Sequence, residues 1–260
     1  MTNYEQNFLN ACKAGDLSDV KHFLKNGMDI HLSQEQAFSN ACSSQNIELI
    51  DYLLSSPELT EHSKINPEFN EDLLRSCMVG NKEIVKKLFE LPIFQKQKRD
   101  NLKEHKILLI EAFKKACNCS KIKMIEFFIY ELPPDDTRIV FNDLNRGFVA
   151  ACANGKLEAV KFLFNNEKTG PLINPNAYEN AALRLTIYNG YQPIIQYLLT
   201  EQSHKTLISD ELKSWVFERP DISIDVKNYF FDTLKIIENK QLLAVSIPDK
   251  SESQIKKNKI

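Results

Sequence analysis

Cys117 and Cys119, separated only by Asn118, are the closest pair of cysteines in this chain, and a CxC pair is the kind of spacing that binds metal or exchanges disulfides. A structural zinc site needs four ligands, so the pair would have to recruit two more. None is in a recognisable pattern. The five histidines, His22, His31, His62, His105 and His204, show no HExxH spacing and no second cysteine pair beside them. Each reads as a surface residue. There is no GxSxG elbow and no glycine-rich phosphate loop, and the carboxylates are scattered over candidate outer helices, where solvated charge is their ordinary role. The reading is therefore non-catalytic, with no cofactor and no metal.

The other cysteines have a different message. Cys12, Cys42, Cys77, Cys117 and Cys152 follow one another at intervals of 30, 35, 40 and 35 residues. Each has an apolar residue four positions earlier (Phe8, Phe38, Leu73, Phe113, Phe148) and an apolar pair eleven and twelve positions later. A sixth copy places Ile187 where the others have cysteine. Phe8, Ala11 and Cys12 fall on one stripe of a short helix, and Leu17, Val20, Phe23 and Leu24 on a stripe of a second. The residue three after the cysteine position is glycine in four copies (Gly15, Gly80, Gly155, Gly190), as suits a helix end at positive φ. Gln45 and Ser120 take that slot elsewhere and are expected to strain it. Repetition at this period predicts stacked helix pairs sharing one core. At such positions cysteine acts as a small apolar side chain. Cys119 falls off the stripe and is expected to be a partly exposed thiol.

At these residues the chain resembles the ankyrin-repeat family. The resemblance rests on Ala11-Cys12, Gly15, Val20, Leu24 and Gly27 and their counterparts, and covers about residues 4 to 205. The period lies near the family's value of about 33, below the roughly 40–47 of armadillo and HEAT repeats. The chain departs from the family in lacking Thr-Pro-Leu-His at the first helix, where Gln6-Asn7-Phe8-Leu9 and Arg146-Gly147-Phe148-Val149 stand instead. Regular β-hairpin fingers are therefore not expected. The resemblance implies an all-α, ankyrin-type solenoid of six divergent repeats over 1–206, with a degenerate seventh repeat or helical cap at 207–247 and a disordered polar tail at 248–260. Residues 91–109 leave room for an extra helix. Trp215 is expected to cover the end of the stack.

The resemblance also implies a concave face lined by the two residues that follow each repeated cysteine, with Arg75 and Lys115, two before Cys77 and Cys117, near the same rim. Its candidate partner-binding residues are Arg75, Met78, Val79, Lys115, Asn118, Asn154, Tyr188 and Asn189. A second stripe, Phe127, Phe162 and Tyr197 on consecutive second helices, is expected to pack laterally between neighbours. Exposed, it would instead form a convex docking patch.

A formal charge of −2 offers no argument for nucleic acid. The apolar runs are too short to span a membrane, and Met1 to Asn7 has no secretory-signal pattern. Unpaired cysteines at this density favour a reducing, cytoplasmic compartment. The basic run Lys96 to Lys106 is diluted by Asp100 and Glu104 and reads as a solvated loop. The functional expectation is a monomeric module that binds another protein through its concave face. One version is a bacterial effector entering a host cell without a signal peptide: such proteins often carry ankyrin repeats, and the Lys, Asn, Ile and Phe bias points to an AT-rich genome. Two alternatives are an enzyme or substrate-presenting protein with a site in the C-terminal cap, and a scaffold that self-associates through the aromatic stripe. Residues 205–247 contain no clustered catalytic set, which counts against the enzyme.

Overall fold

The computed structural model describes residues 2–28, 34–55, 67–201, 206 and 208–246. His31, His62, His204 and the tail expected at 248–260 lie outside them. Among the described residues there are sixteen α-helices and no strand. Contacts divide the chain into two compact units, meeting between Ile173 and Asn174.

The first unit holds five copies of the repeated helix pair: α1 (Asn3–Ala14) with α2 (Leu17–Lys25), α3 (Gln34–Ser44) with α4 (Ile47–Leu54), α5 (Pro67–Val79) with α6 (Lys82–Glu90), α8 (Leu102–Asn118) with α9 (Ile122–Glu126), and α11 (Leu144–Ala153) with α12 (Leu157–Asn165). Two further helices interrupt the series, α7 (Pro92–Asp100) and α10 (Pro134–Asn142). The 91–109 segment thus supplies α7 and also lengthens α8 at its start. First helices pack in chain order, α1 on α3, α3 on α5, α5 on α8 and α8 on α11. The second unit contains the sixth pair, α13 (Ala177–Tyr188) with α14 (Gln192–Gln196), against which α15 (Asp210–Glu218) and α16 (Ile224–Ser246) pack. The right-handed part of α13 begins after Tyr178, Glu179 and Asn180, which have φ of 54°, 56° and 62°.

Within a pair, the first helix closes each time at a residue of positive φ, and the second carries a side-chain cap in the first three copies. In copy one, Gly15 closes α1 at φ 76°, and the Asp16 N–H donates back to the Ala11 carbonyl at 3.0 Å. The Asp16 carboxylate then accepts from the Asp19 N–H and caps α2. Asn46 and Asn81 cap α4 and α6 likewise. Gln45 and Ser120 are forced to φ 62° and 53° in the same slot, a conformation that costs an L-residue about 1–2 kcal/mol.

Phe8, Cys12, Cys77, Cys117 and Cys152 are fully buried, and Cys42 is nearly so. Burial pushes the Cys12 thiol up to about 12 and those of Cys42, Cys77 and Cys117 well above their ordinary range. Cys119 is half-exposed at the end of α8. Helices α8 and α11 approach through Gly147, where a Cβ would clash with the Phe113 ring and touch the Cys117 sulfur.

The aromatic stripe is packing. After α9 and α14 the chain widens into π turns at Phe127–Glu131 and Tyr197–Glu201, with the Leu132 N–H reaching back to the Phe127 carbonyl. The wider turn carries three consecutive side chains, Phe127, Phe128 and Ile129, into the interior, and Tyr197, Leu198 and Leu199 at the corresponding place. Phe162 lies on the plain α-helix α12 and stays half-buried.

Two outcomes are expected. Gln45→Gly and Ser120→Gly should each stabilise by about 0.5–1 kcal/mol, and Gly147→Ala should destabilise by about 2 kcal/mol, in urea unfolding. Under native conditions a thiol reagent should label Cys119 first and the five buried cysteines only at the rate of opening, read by mass spectrometry of quenched samples.

Candidate functional site

The candidate residues of the first unit lie along the row of first helices. Met78 is 40 % exposed, Arg75 and Asn154 are exposed, and Val79, Lys115 and Asn118 are half-buried. Cys77, Cys117 and Cys152, each within two residues of these positions, are interior, so core and surface alternate within a single helical turn. Two of the polar residues spend part of their hydrogen-bonding capacity on neighbouring copies. The Arg75 guanidinium donates to the Ser43 hydroxyl at 3.2 Å, and the Asn154 amide donates to the Asn118 side-chain oxygen at 3.1 Å. Between the first two copies, Asn40 donates to the Leu9 carbonyl and Asn46 to the Gly15 carbonyl. These bonds pin the register of adjacent copies. Met78 keeps its apolar surface in solvent.

Tyr188 and Asn189 belong to the second unit. Tyr188 is 46 % exposed, and the Asn189 amide turns back to the Leu185 carbonyl at 3.0 Å. The Arg219 guanidinium lies 5.9 Å from the Tyr188 ring and 5.5 Å from that of Trp215, with Arg184 5.2 Å from the Trp215 ring. Trp215 is thus half-buried between two cations. Arg219 also makes two hydrogen bonds to the Asp221 carboxylate, at 2.9 and 2.8 Å. That fork raises the arginine and lowers the aspartate from their ordinary values.

The structure adds a cluster with no counterpart among the sequence expectations. His105, read from sequence as a surface residue, is fully buried on α8. Its Nε2 lies 2.9 Å from Oδ1 of Asp136, which is buried on α10, and Lys98 of α7 donates to Oδ2 of the same carboxylate at 2.9 Å. The correction has a physical cause. Helices α7 and α10 are insertions that pack on the extended start of α8, and they enclose positions that would be solvent-facing on a plain repeat. Phe94 of α7 covers the imidazole edge-on at 5.0 Å. For Asp136, burial raises the carboxyl pKa, but the hydrogen bonds from His105 and Lys98 outweigh it and hold the group below the usual carboxylate range. The basic run is likewise not a solvated loop: Lys98 is engaged, and its neighbours lie on α7 and α8. Little in the sequence points to this cluster beyond Pro133-Pro134-Asp135-Asp136, which has the composition of a helix start.

Beside the cluster opens a cavity of about 850 Å³, walled by α7, α8 and α10. Asp136 lies in its wall. Among the described residues no group of three His, Cys, Asp or Glu side chains converges as a metal site, and no helix is long and apolar enough to cross a membrane. Compared with family models, with curated proteins and with solved structures, the chain matches none.

Because the folded-state pKa of Asp136 is depressed, its contribution to stability is fully present above the unfolded value of about 3.9 and is lost as pH falls through the folded value. Asp136→Asn should cost about 3 kcal/mol at neutral pH, since it leaves Lys98 facing a buried neutral group. It should also flatten the decline in stability on acidification. Urea unfolding of both proteins between about pH 3 and pH 7 reads the two effects together; parallel curves would mean that the carboxylate is not paired as described.

Proposed function

We propose that the chain is a non-catalytic, ankyrin-type repeat protein that holds a partner protein on the surface formed by its first helices. One observation carries the reading: no described residue two after a buried repeat cysteine is itself buried, and Ala14 and Asn154 are exposed, on helices whose opposite side is core. A face of this kind is rigid, because the buried cysteines and the Arg75–Ser43 and Asn154–Asn118 bonds hold successive helices in register. Rigid placement lowers the ordering cost of binding. Met78 offers adaptable apolar contact, and Arg75 and Tyr188 are the side-chain types that dominate interface energy. The ankyrin assignment is supported by the chain-order packing of first helices and by the shared left-handed closure of each pair. Self-association through the aromatic stripe loses its surface, since Phe127 and Tyr197 are interior.

The test is affinity capture with Arg75→Ala, Met78→Ala and Tyr188→Ala combined, beside a melting curve. Capture of the wild-type partners should fall to background while the melting temperature holds within a few degrees, because truncation at exposed positions removes contact area and little core. Undiminished capture by the folded triple variant would move the binding face elsewhere.

A further inference from the structure

The cavity between α7, α8 and α10 goes beyond the protein-binding reading. We propose that it is a binding site for a small soluble organic anion, a phosphate ester on a partly apolar body, held by Arg99 and Lys106.

Three helical faces meet here. Gln95, Lys98 and Arg99 lie at i, i+3 and i+4 of α7, and Leu102, Lys106 and Ile110 at i, i+4 and i+8 of α8. Arg138 and Ile139 come from the facing stripe of α10. Neither α7 nor α10 belongs to a repeated pair, and Leu102 and Lys106 belong to the extension of α8. The cavity is therefore an addition to the repeat scaffold, not a by-product of stacking it.

Charge decides the sign of the ligand. Every carboxylate in the wall already has a cation: Asp136 has Lys98, Asp135 has Arg138 at 3.3 Å, and Asp143 has Arg146 at 3.0 Å. Arg99 and Lys106 have no carboxylate within ion-pair distance among the described residues, yet both face the cavity. Two uncompensated cations in a cleft concentrate anions, and a guanidinium beside an ammonium suits the several oxygens of a phosphate. Leu102, Ile110 and Ile139 supply apolar wall for the rest of the molecule. The volume falls within the roughly 300–1,000 Å³ of small-molecule sites and is too small for a folded partner.

The His105–Asp136–Lys98 cluster explains why the site is preformed. One buried carboxylate ties α7, α8 and α10 together, so the walls are fixed before a ligand arrives. Lys98 is a positioning residue here. Its side chain is about a quarter exposed, and its ammonium has donors to spare beyond the one given to Asp136.

Isothermal titration of the full chain at constant ionic strength tests this, with phenyl phosphate, inorganic phosphate and phenol as probes. Saturable binding is expected for phenyl phosphate, weaker binding for inorganic phosphate, and none for phenol. Arg99→Gln combined with Lys106→Gln should weaken phenyl phosphate by about tenfold or more, with an unchanged melting temperature, since both side chains are exposed and outside the buried cluster. No saturable binding by either phosphate, or equal affinity in the double variant, overturns the proposal. So does sedimentation with phosphatidylcholine–phosphatidic acid vesicles by a chain that ignores phenyl phosphate, which would assign the cations to a lipid surface. Arg75, Met78 and Tyr188 are untouched in these variants, so this site and the protein-binding face fail independently.

Discussion

The spacing between neighbouring first helices governs the rest of the first unit, and it is set by small side chains. Ala11 and Cys12, Ala41 and Cys42, Ala116 and Cys117, and Ala151 and Cys152 sit side by side in the interior. A methyl or thiol at these points lets one helix lie close on the next. A larger group would push them apart, and dense interiors tolerate such strain poorly. Cysteine adds a further convenience: it fills more volume than alanine without a hydroxyl that must find a hydrogen bond. Polar residues beside the position fare differently: the Thr186 hydroxyl donates to the Ala182 carbonyl one turn earlier, whereas the Ser76 hydroxyl beside Cys77 is buried with no hydrogen-bond partner among the described residues. The high thiol pKa values are a consequence of this packing and leave these sulfurs poor nucleophiles.

Departures from the repeat occur where the chain has extra residues to place. The π turns after α9 and α14 are the small case. One wider turn brings a third consecutive apolar side chain inward, and the aromatics at Phe127 and Tyr197 become core. The insertions α7 and α10 are the large case. Packing two more helices on α8 hides a histidine and an aspartate that would otherwise face water. The buried carboxylate then has to be paired, because an isolated buried charge costs several kcal/mol. The Lys98–Asp136–His105 cluster is the pairing that results, and it fixes the geometry of the adjacent cavity.

Period and residue type were enough to find the helix pairs, the left-handed slot after each first helix and the interior cysteines. Those features depend on neighbours a few residues away, or on an identical neighbour one repeat away. Even the strain at Gln45 and Ser120 was legible, since a slot occupied by glycine in four copies implies the same φ in the others. The surface placement of Met78 and Asn154 was expected from the family resemblance, and both are exposed.

The cluster could not be read this way. His105, Asp136 and Lys98 are tens of residues apart, on segments that interrupt the repeat, so no period relates them. Whether His105 faces water or Asp136 depends on where α10 lands on α8, which is a matter of tertiary packing rather than of local pattern. The aromatic stripe tells the same story on a smaller scale: sequence placed Phe127, Phe162 and Tyr197 in equivalent positions, and the backbone's choice of α or π turn decided their burial. By itself, then, the sequence determined everything that repeats, because repetition turns a tertiary contact into a local rule. Only the tertiary structure decided what the insertions enclose, because burial, and with it the chemistry of an ionisable group, belongs to the whole set of helices around it.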